Sequence, residues 1–309
     1  MPANNPDVKA LLVSVHYGNP RPTVDLLRSL SRIRRRGEVR VIVISNKSGD
    51  GRDAGLHKAI YGLADFELHE LTVNAGYFGA AKAGLDRFLD RQGVLPDWII
   101  VCNHDVLIED EDFFLRLFAQ DPSSAGVIAP RIQSLPNRVD QNPFMRRRPG
   151  RLRWAFLRLC FSSYKAAAIW DWLSRMNLAL KSYRKTHSRK PVGNHNAKQE
   201  RIYAPHGSFL IFSRRYLQAG GVLDQNLFLY GEEITVAETC RSLGLPVMYE
   251  PSLCVLHNEH TSIGRRISRF SYECQKKALQ YLTSRYFSGS RGSVEPVNGI
   301  TLDASFHKR

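Results

Sequence analysis

Two stretches decide the fold: Lys9-Ala10-Leu11-Leu12-Val13-Ser14-Val15-His16, and Trp98-Ile99-Ile100-Val101-Cys102-Asn103-His104-Asp105. Each is a short apolar run that ends abruptly in polar residues, the pattern of a strand covered on both faces in a parallel sheet. Between them, Val39–Ser45 and roughly Phe66–Val73 predict two more strands. Pro20 and Pro22 mark a turn, and Val24, Leu26, Leu27, Leu30 and Ile33 then recur at helical spacing. Tyr77–Arg91 predicts a second helix, packed through small residues. Strand–helix alternation places the chain in the α/β class as an open sheet, whose ligands bind beyond the carboxyl ends of the strands. His16, Asn46, Asn74 and Asp105 stand at those ends.

Asn46–Gly51 has turn chemistry, and Asp112–Leu117 is short enough to be a capped helix. Further strands are predicted at Ala125–Arg131 and Ser208–Ser213, then a short strand through Val247–Pro251 with His257 at its far end, and a closing helix over Ile267–Phe287. Gly231 precedes two adjacent acids, Glu232 and Glu233, which open another helical stretch. The polar segment 184–200, the loop Asn258–Arg266 and the tail from Ser288 predict loose chain.

At 309 residues the chain is long enough for a full core, with 43% hydrophobic and 24% charged residues, as in globular proteins. No apolar run reaches the roughly 18 residues a membrane span needs. Five cysteines without CxxC spacing suit no closed disulfide framework, and the polar N-terminus has no signal-peptide core, so a reduced, cytoplasmic chain is expected.

The net charge of +15 is local: residues 146–201 hold 15 Lys or Arg against two acids, a net +13. Trp154, Phe156, Trp170 and Trp172 are interleaved there, predicting one or two amphipathic helices with a cationic face. An anionic partner should meet this insert. An anionic membrane surface is the expected partner, which would place the protein on the inner face of the plasma membrane. Phosphates of a nucleic acid are the alternative, but no nucleic-acid motif accompanies the charge and none is expected to bind.

Taken in order, several motifs resemble the family 2 glycosyltransferases of GT-A fold, especially the bacterial rhamnosyltransferase-like branch. They are Val13–Asn19, Ser45–Gly51, Asn74–Gly79, Asn103-His104-Asp105, His206–Phe209, Tyr230–Glu233 and His257. The resemblance spans most of residues 9–262 outside the basic insert. It implies a Rossmann-like, mostly parallel sheet flanked by helices, a nucleotide-sugar donor, Mg²⁺ or Mn²⁺ on its diphosphate, and inversion at the anomeric carbon. Residues 8–136 would form the nucleotide-sugar half, 137–205 the insert, 206–262 the acceptor and catalytic half, and 263–309 a C-terminal helix and tail.

Residue by residue, Asn103-His104-Asp105 stands where the family has its DxD motif, with the first acid missing. Asp105 and His257 would then be the metal ligands. Glu233 matches the catalytic base, one methylene longer than the usual Asp, and Glu232 would hold the acceptor or a sugar hydroxyl. His16, Asn46, Asn74, Asn103 and Gly207 would line the donor site. Ser45 replaces an acid often found at the base-recognition position. The expected acceptor is a surface glycan, on a polyprenyl diphosphate carrier. A non-catalytic relative that only binds nucleotide sugars is the other reading, and the presence of Asp105, Glu233 and His257 together speaks against it.

Overall fold

A computed structural model describes residues 8–46, 53–135, 138–187, 198–258 and 267–288. The predicted turn beyond Asn46, most of the loose segment 184–200, the loop after Asn258 and the tail after Ser288 lie outside the described residues. In chain order the strands are β1 (Ala10–His16), β2 (Val39–Ser45), β3 (Glu67–Glu70), β4 (Trp98–Asn103), β5 (Val106–Leu107), β6 (Val127–Ser134), β7 (Glu200–Ile202), β8 (Phe209–Ser213) and β9 (Val247–His257). The helices are α1 (Arg21–Leu30), α2 (Ala54–Ile60), α3 (Gly76–Gln92), α4 (Phe113–Phe118), α5 (Arg151–Cys160), α6 (Tyr164–His187), α7 (Arg214–Gln218), α8 (Glu232–Ser242) and α9 (Arg269–Leu282).

All described strands join one sheet in the order β3-β2-β1-β4-β8-β6-β9-β5, with β7 also on β9. β3, β2, β1 and β4 are mutually parallel, and the runs of β2, β1 and β4 are almost wholly apolar because both faces are covered. Alternate residues face opposite layers. Leu12, Val41, Val43 and Ile100 pack under Leu26 and Leu30 of α1 and Leu56 of α2. Leu11, Val13, Ile42, Ile44 and Val101 meet Phe78, Ala81, Leu85 and Phe88 of α3. A Cβ on Gly84 would come within 2.6 Å of Val13, so α3 seats on β1 through a residue with no side chain.

Beyond β4 the direction changes. β8 runs antiparallel to both β4 and β6. β9 is parallel to β6, and β5 and β7 are antiparallel to β9. Because β8 is antiparallel, its start lies beside the end of β4: Cys102 pairs with Phe209, and the Asn103 N–H donates to the Ser208 carbonyl at 2.9 Å. In the same way Val106, one residue after Asp105, pairs with His257 at the end of β9.

Several expectations shift. The third strand is only Glu67–Glu70, half-buried at the sheet edge, because few apolar residues there give it a face to bury. The strand that ends at His257 is β9, continuous from Val247 but with a break in register where it meets Pro130 and Arg131 of β6. The predicted loose segment is helical as far as His187. α2 had no apolar period to reveal it; Asp53 caps it, accepting from the Leu56 N–H at 3.0 Å. Trp154 is a larger correction. The expected interfacial residue is buried, its ring stacked on Phe287 at 3.9 Å and its Nε1–H donated to Thr283 Oγ1 at 2.8 Å. The helical period of α5 was legible, but not which of its faces would be covered. Among the described residues, no helix is long and apolar enough to cross a membrane.

Candidate active site

The parallel strands reverse their order at β1: the chain leaves it toward β2 on one side and returns to β4 on the other. Open α/β sheets form their binding crevice at such a switch point, outside the carboxyl ends of the strands. His16 ends β1 there and is fully buried. Its Nδ1 lies 2.7 Å from Thr23 Oγ1, its Nε2 3.6 Å from Asp53 Oδ2, and its ring stands edge-on to His104 at 5.1 Å. Asp53 escaped the sequence reading, although an acid just before a short helix is the usual signal of an N-cap.

Asn46 and Asn74 shape the entry to α3. The Asn46 Oδ1 accepts from the Ala75 N–H at 2.8 Å, and its Nδ2 donates to the Gly76 carbonyl at 3.0 Å. The Asn74 Oδ1 accepts from the Gly76 N–H at 3.0 Å. Gly76 has φ +73°, and a Cβ there would sit 2.5 Å from the Phe228 carbonyl oxygen, so this close approach requires glycine. The next residue, Tyr77, donates its N–H to Phe228 and its hydroxyl to the Gly207 carbonyl at 2.9 Å. Asn46 and Asn74 thereby tie the parallel half of the sheet to the loop that carries the paired acids.

Asp105 and His257 come together through the β5–β9 pairing, with Asp105 Oδ1 3.3 Å from His257 Nε2. Burial raises the Asp105 carboxyl, but the hydrogen bond and charge of His257, with His104 beyond, outweigh it and hold the group below its ordinary range. On the other side of the ring, His257 Nδ1 lies 2.8 Å from Gln141 Oε1. That contact makes Nδ1 a donor to the amide oxygen and leaves Nε2 facing Asp105. Two acceptors facing each other call for a cation between them, a proton or a metal ion. Metal-ligating histidines are oriented in this manner, and adjacent ligands of an octahedral ion with bonds of about 2.1 Å lie about 3 Å apart. The pair could therefore supply two ligands to a divalent ion. Among the described residues, no group of three or more His, Cys, Asp or Glu could hold a metal by protein ligands alone.

His206 stands edge-on to His257 at 5.8 Å. Burial, then the charge of His257, pushes it down to about 4, so it is a neutral ring at physiological pH. The ring Nδ1 accepts from the Ser208 N–H at 3.3 Å, and the His206 backbone N–H donates to Asn142 Oδ1 at 2.8 Å.

Gly231 has φ +94° and packs against Leu282 and Leu227, turning the chain so that Glu232 and Glu233 enter the core as the first turn of α8. A Cβ on Gly207 would come within 2.6 Å of Glu233 Oε1, so this glycine gives the carboxylate its seat. Burial raises Glu233, while the backbone N–H groups of Glu233, Gly207 and Gly231 pull it back. Glu232 is 4% exposed, and its Oε1 has no hydrogen-bond partner among the described residues. Burial, then the charge of Glu233, pushes it up to about 8. Two adjacent buried acids resist double ionisation, and the N–H groups favour charge on Glu233. At neutral pH the proton resides on Glu232. Contacts run without a break from Glu233 through Gly207 and His206 to His257 and Asp105.

No protein-family model and no curated protein sequence matches the chain. Solved structures do. GalNAc-T7, solved with UDP, GalNAc and Mn²⁺, superposes with a TM-score of 0.55 at 10% identity, over 88% of this chain and 48% of that one. The chain has the GT-A fold. A mannosyltransferase from Pyrobaculum calidifontis in complex with GDP-Man and Mn²⁺ matches at 13% identity, TM-score 0.47, over 86% of this chain and 59% of that one. Residues 1–349 of S. aureus TarS match at 11% identity, TM-score 0.47, over 81% and 60%. The chain thus spans about half to three-fifths of the length of these structures.

Proposed function

We propose that the protein is a metal-dependent inverting glycosyltransferase, moving a sugar from a nucleotide-sugar donor to a hydroxyl of a glycan acceptor. One observation carries the reading. A buried carboxyl, Glu233, faces backbone N–H groups beside Gly207, whose neighbour His206 stands against His257 of the metal-suited Asp105–His257 pair. GalNAc-T7, with the same fold, was solved with UDP and Mn²⁺, which supports a nucleotide-sugar donor and a divalent cation here as well.

In this reading Glu233 removes the proton from the acceptor hydroxyl as it attacks the anomeric carbon. A hydroxyl has a pKa far above neutral, so it needs a base in the transition state, and a carboxylate raised by burial is a stronger base than one in water. Glu232, protonated, donates a hydrogen bond to a sugar or acceptor oxygen. Asp105 and His257 would hold the divalent ion, which when bound supplies positive charge at the diphosphate leaving group. The imidazole in this ligand set favours Mn²⁺ over the harder Mg²⁺. His16 and Asn103 line the donor side of the cleft, and direct attack from the opposite side inverts the anomeric configuration. A rhamnosyl or hexosyl donor and a polyprenyl-diphosphate-linked acceptor of the cell envelope complete the proposal. They rest on the motif resemblance and on the basic insert, whose charge suits a diphosphate carrier.

The test measures nucleoside diphosphate release from a panel of nucleotide sugars with Mn²⁺ and with chelator. Chelator-sensitive release that Glu233→Gln abolishes supports the proposal. Activity indifferent to both overturns it.

A further inference from the structure

The outer faces of α5 and α6 carry apolar side chains that no described residue covers. On α5, Leu152, Phe156 and Leu159 follow at helical spacing and lie in one narrow stripe, with Leu152 88% exposed. On α6, Ile169, Trp172, Leu173 and Met176 repeat the pattern, each between 44% and 60% exposed. Phe156 meets Trp170 edge to face at 5.3 Å and so joins the two stripes. Scattered exposed apolar residues are ordinary, but a continuous stripe over two adjoining helices marks a contact surface.

Charge decides what the surface contacts. Arg151 and Arg153 are exposed on α5 at about 100° to either side of Leu152, and exposed Arg158 continues this rim. Exposed Lys165 stands at the start of α6. Arg158 also shares a groove of about 520 Å³ with Lys276 of α9, walled by Ala155, Leu159, Phe161 and Leu279. An apolar stripe of Leu, Ile, Phe and Trp between rows of arginine is the geometry of a helix lying in a membrane interface.

We propose that the α5–α6 face docks on an anionic lipid bilayer. The stripe enters the boundary between headgroups and acyl chains, and the basic rim meets lipid phosphates. This stands independently of sugar transfer. It also has a consequence for the cleft. α9 packs under α5 through Trp154 and Thr283 just beyond its end, and its Ala278 and Leu282 pack on Gly231, the residue before Glu232. The docked layer therefore lies one helix away from the paired acids.

Sedimentation of the full chain with phosphatidylcholine vesicles, with and without phosphatidylglycerol, tests this. Binding should be at least tenfold tighter to the anionic vesicles and weaken as salt rises. Combining Leu152→Ser, Phe156→Ser and Trp172→Ser should weaken binding at least tenfold with unchanged Tm, since all three side chains are exposed. Brominated lipid should quench tryptophan emission in the wild type and much less in Trp172→Phe. Absence of vesicle binding, or equal binding by the triple variant, would overturn the proposal. So would a wild-type dimer that the triple variant converts to monomer, since a second copy would then cover the face. Glu233→Gln should bind vesicles like the wild type, which separates failure of this proposal from failure of the catalytic one.

Discussion

Asn46 and Glu232 are both buried polar side chains at the same edge of the sheet, and the two halves of the molecule treat them in opposite ways. In the parallel half, Asn46 spends both ends of its amide on the backbone around Gly76, and Asn74 closes the turn. In the half built on β8, α8 and β9, Glu232 is buried with an oxygen that has no described hydrogen-bond partner, beside a second acid. A paired buried amide stabilises the fold, whereas a buried acid without a partner costs stability. The first half is arranged for shape. The second accepts a thermodynamic cost of the kind that clusters at functional sites.

The comparison can be broken most sharply at Glu233. Glu233→Gln keeps the shape of the side chain and removes the base, so sugar transfer should fall by about a hundredfold or more with little loss of donor affinity. Transfer within tenfold of wild type would move the base elsewhere. Next in size is the metal pair: Asp105→Ala should weaken Mn²⁺-dependent donor binding by tenfold or more in calorimetry. Gln141→Ala, which frees the His257 ring, should cost about tenfold, at the lower end of the effect of orienting partners. Full metal affinity in His257→Ala would leave that histidine a purely structural role.

The shape-holding half should respond in stability. Asn46→Ala strips one hydrogen bond each from the Ala75 N–H and the buried Gly76 carbonyl and should cost about 2 kcal/mol, read from chemical denaturation. A second effect on stability has the opposite sign. The folded-state pKa of Glu232 lies near 8, above the ordinary 4.5, so between these values the native state binds more protons than the unfolded chain. Stability should therefore fall as pH rises from about 4.5 to about 8 and level off above. Glu232→Gln removes that fall, so its Tm should exceed the wild type's at pH 8 and match it near pH 4. A lower Tm at pH 8 would show that Glu232 has a partner that stabilises its charge.

Much of this was legible in the sequence, for a local reason. β1, β2 and β4 announce themselves because strands covered on both faces are apolar at nearly every position, and α3 does so through its small residues against β1. The candidate residues His16, Asn46, Asp105 and His257 stand out because they end or follow such runs, and Glu232 and Glu233 because two adjacent acids open a helix after Gly231. The charge of the insert is a matter of counting. α2, with its cap at Asp53, stayed hidden because seven residues are too few to establish a period.

What only the tertiary structure decided is pairing across distance. His257 reaches Asp105 because β5 runs antiparallel to β9, and Gly207 reaches Glu233 because β8 enters beside β4 in the reverse direction. Strand order and direction follow from how the whole apolar surface can be buried at once, and no local spacing encodes them. The same holds for Trp154 and Leu152. Both lie on the helix predicted for the insert, yet one stacks beneath α9 and the other faces outward. Helical period tells which residues share a face; only the packed neighbour tells which face is inside.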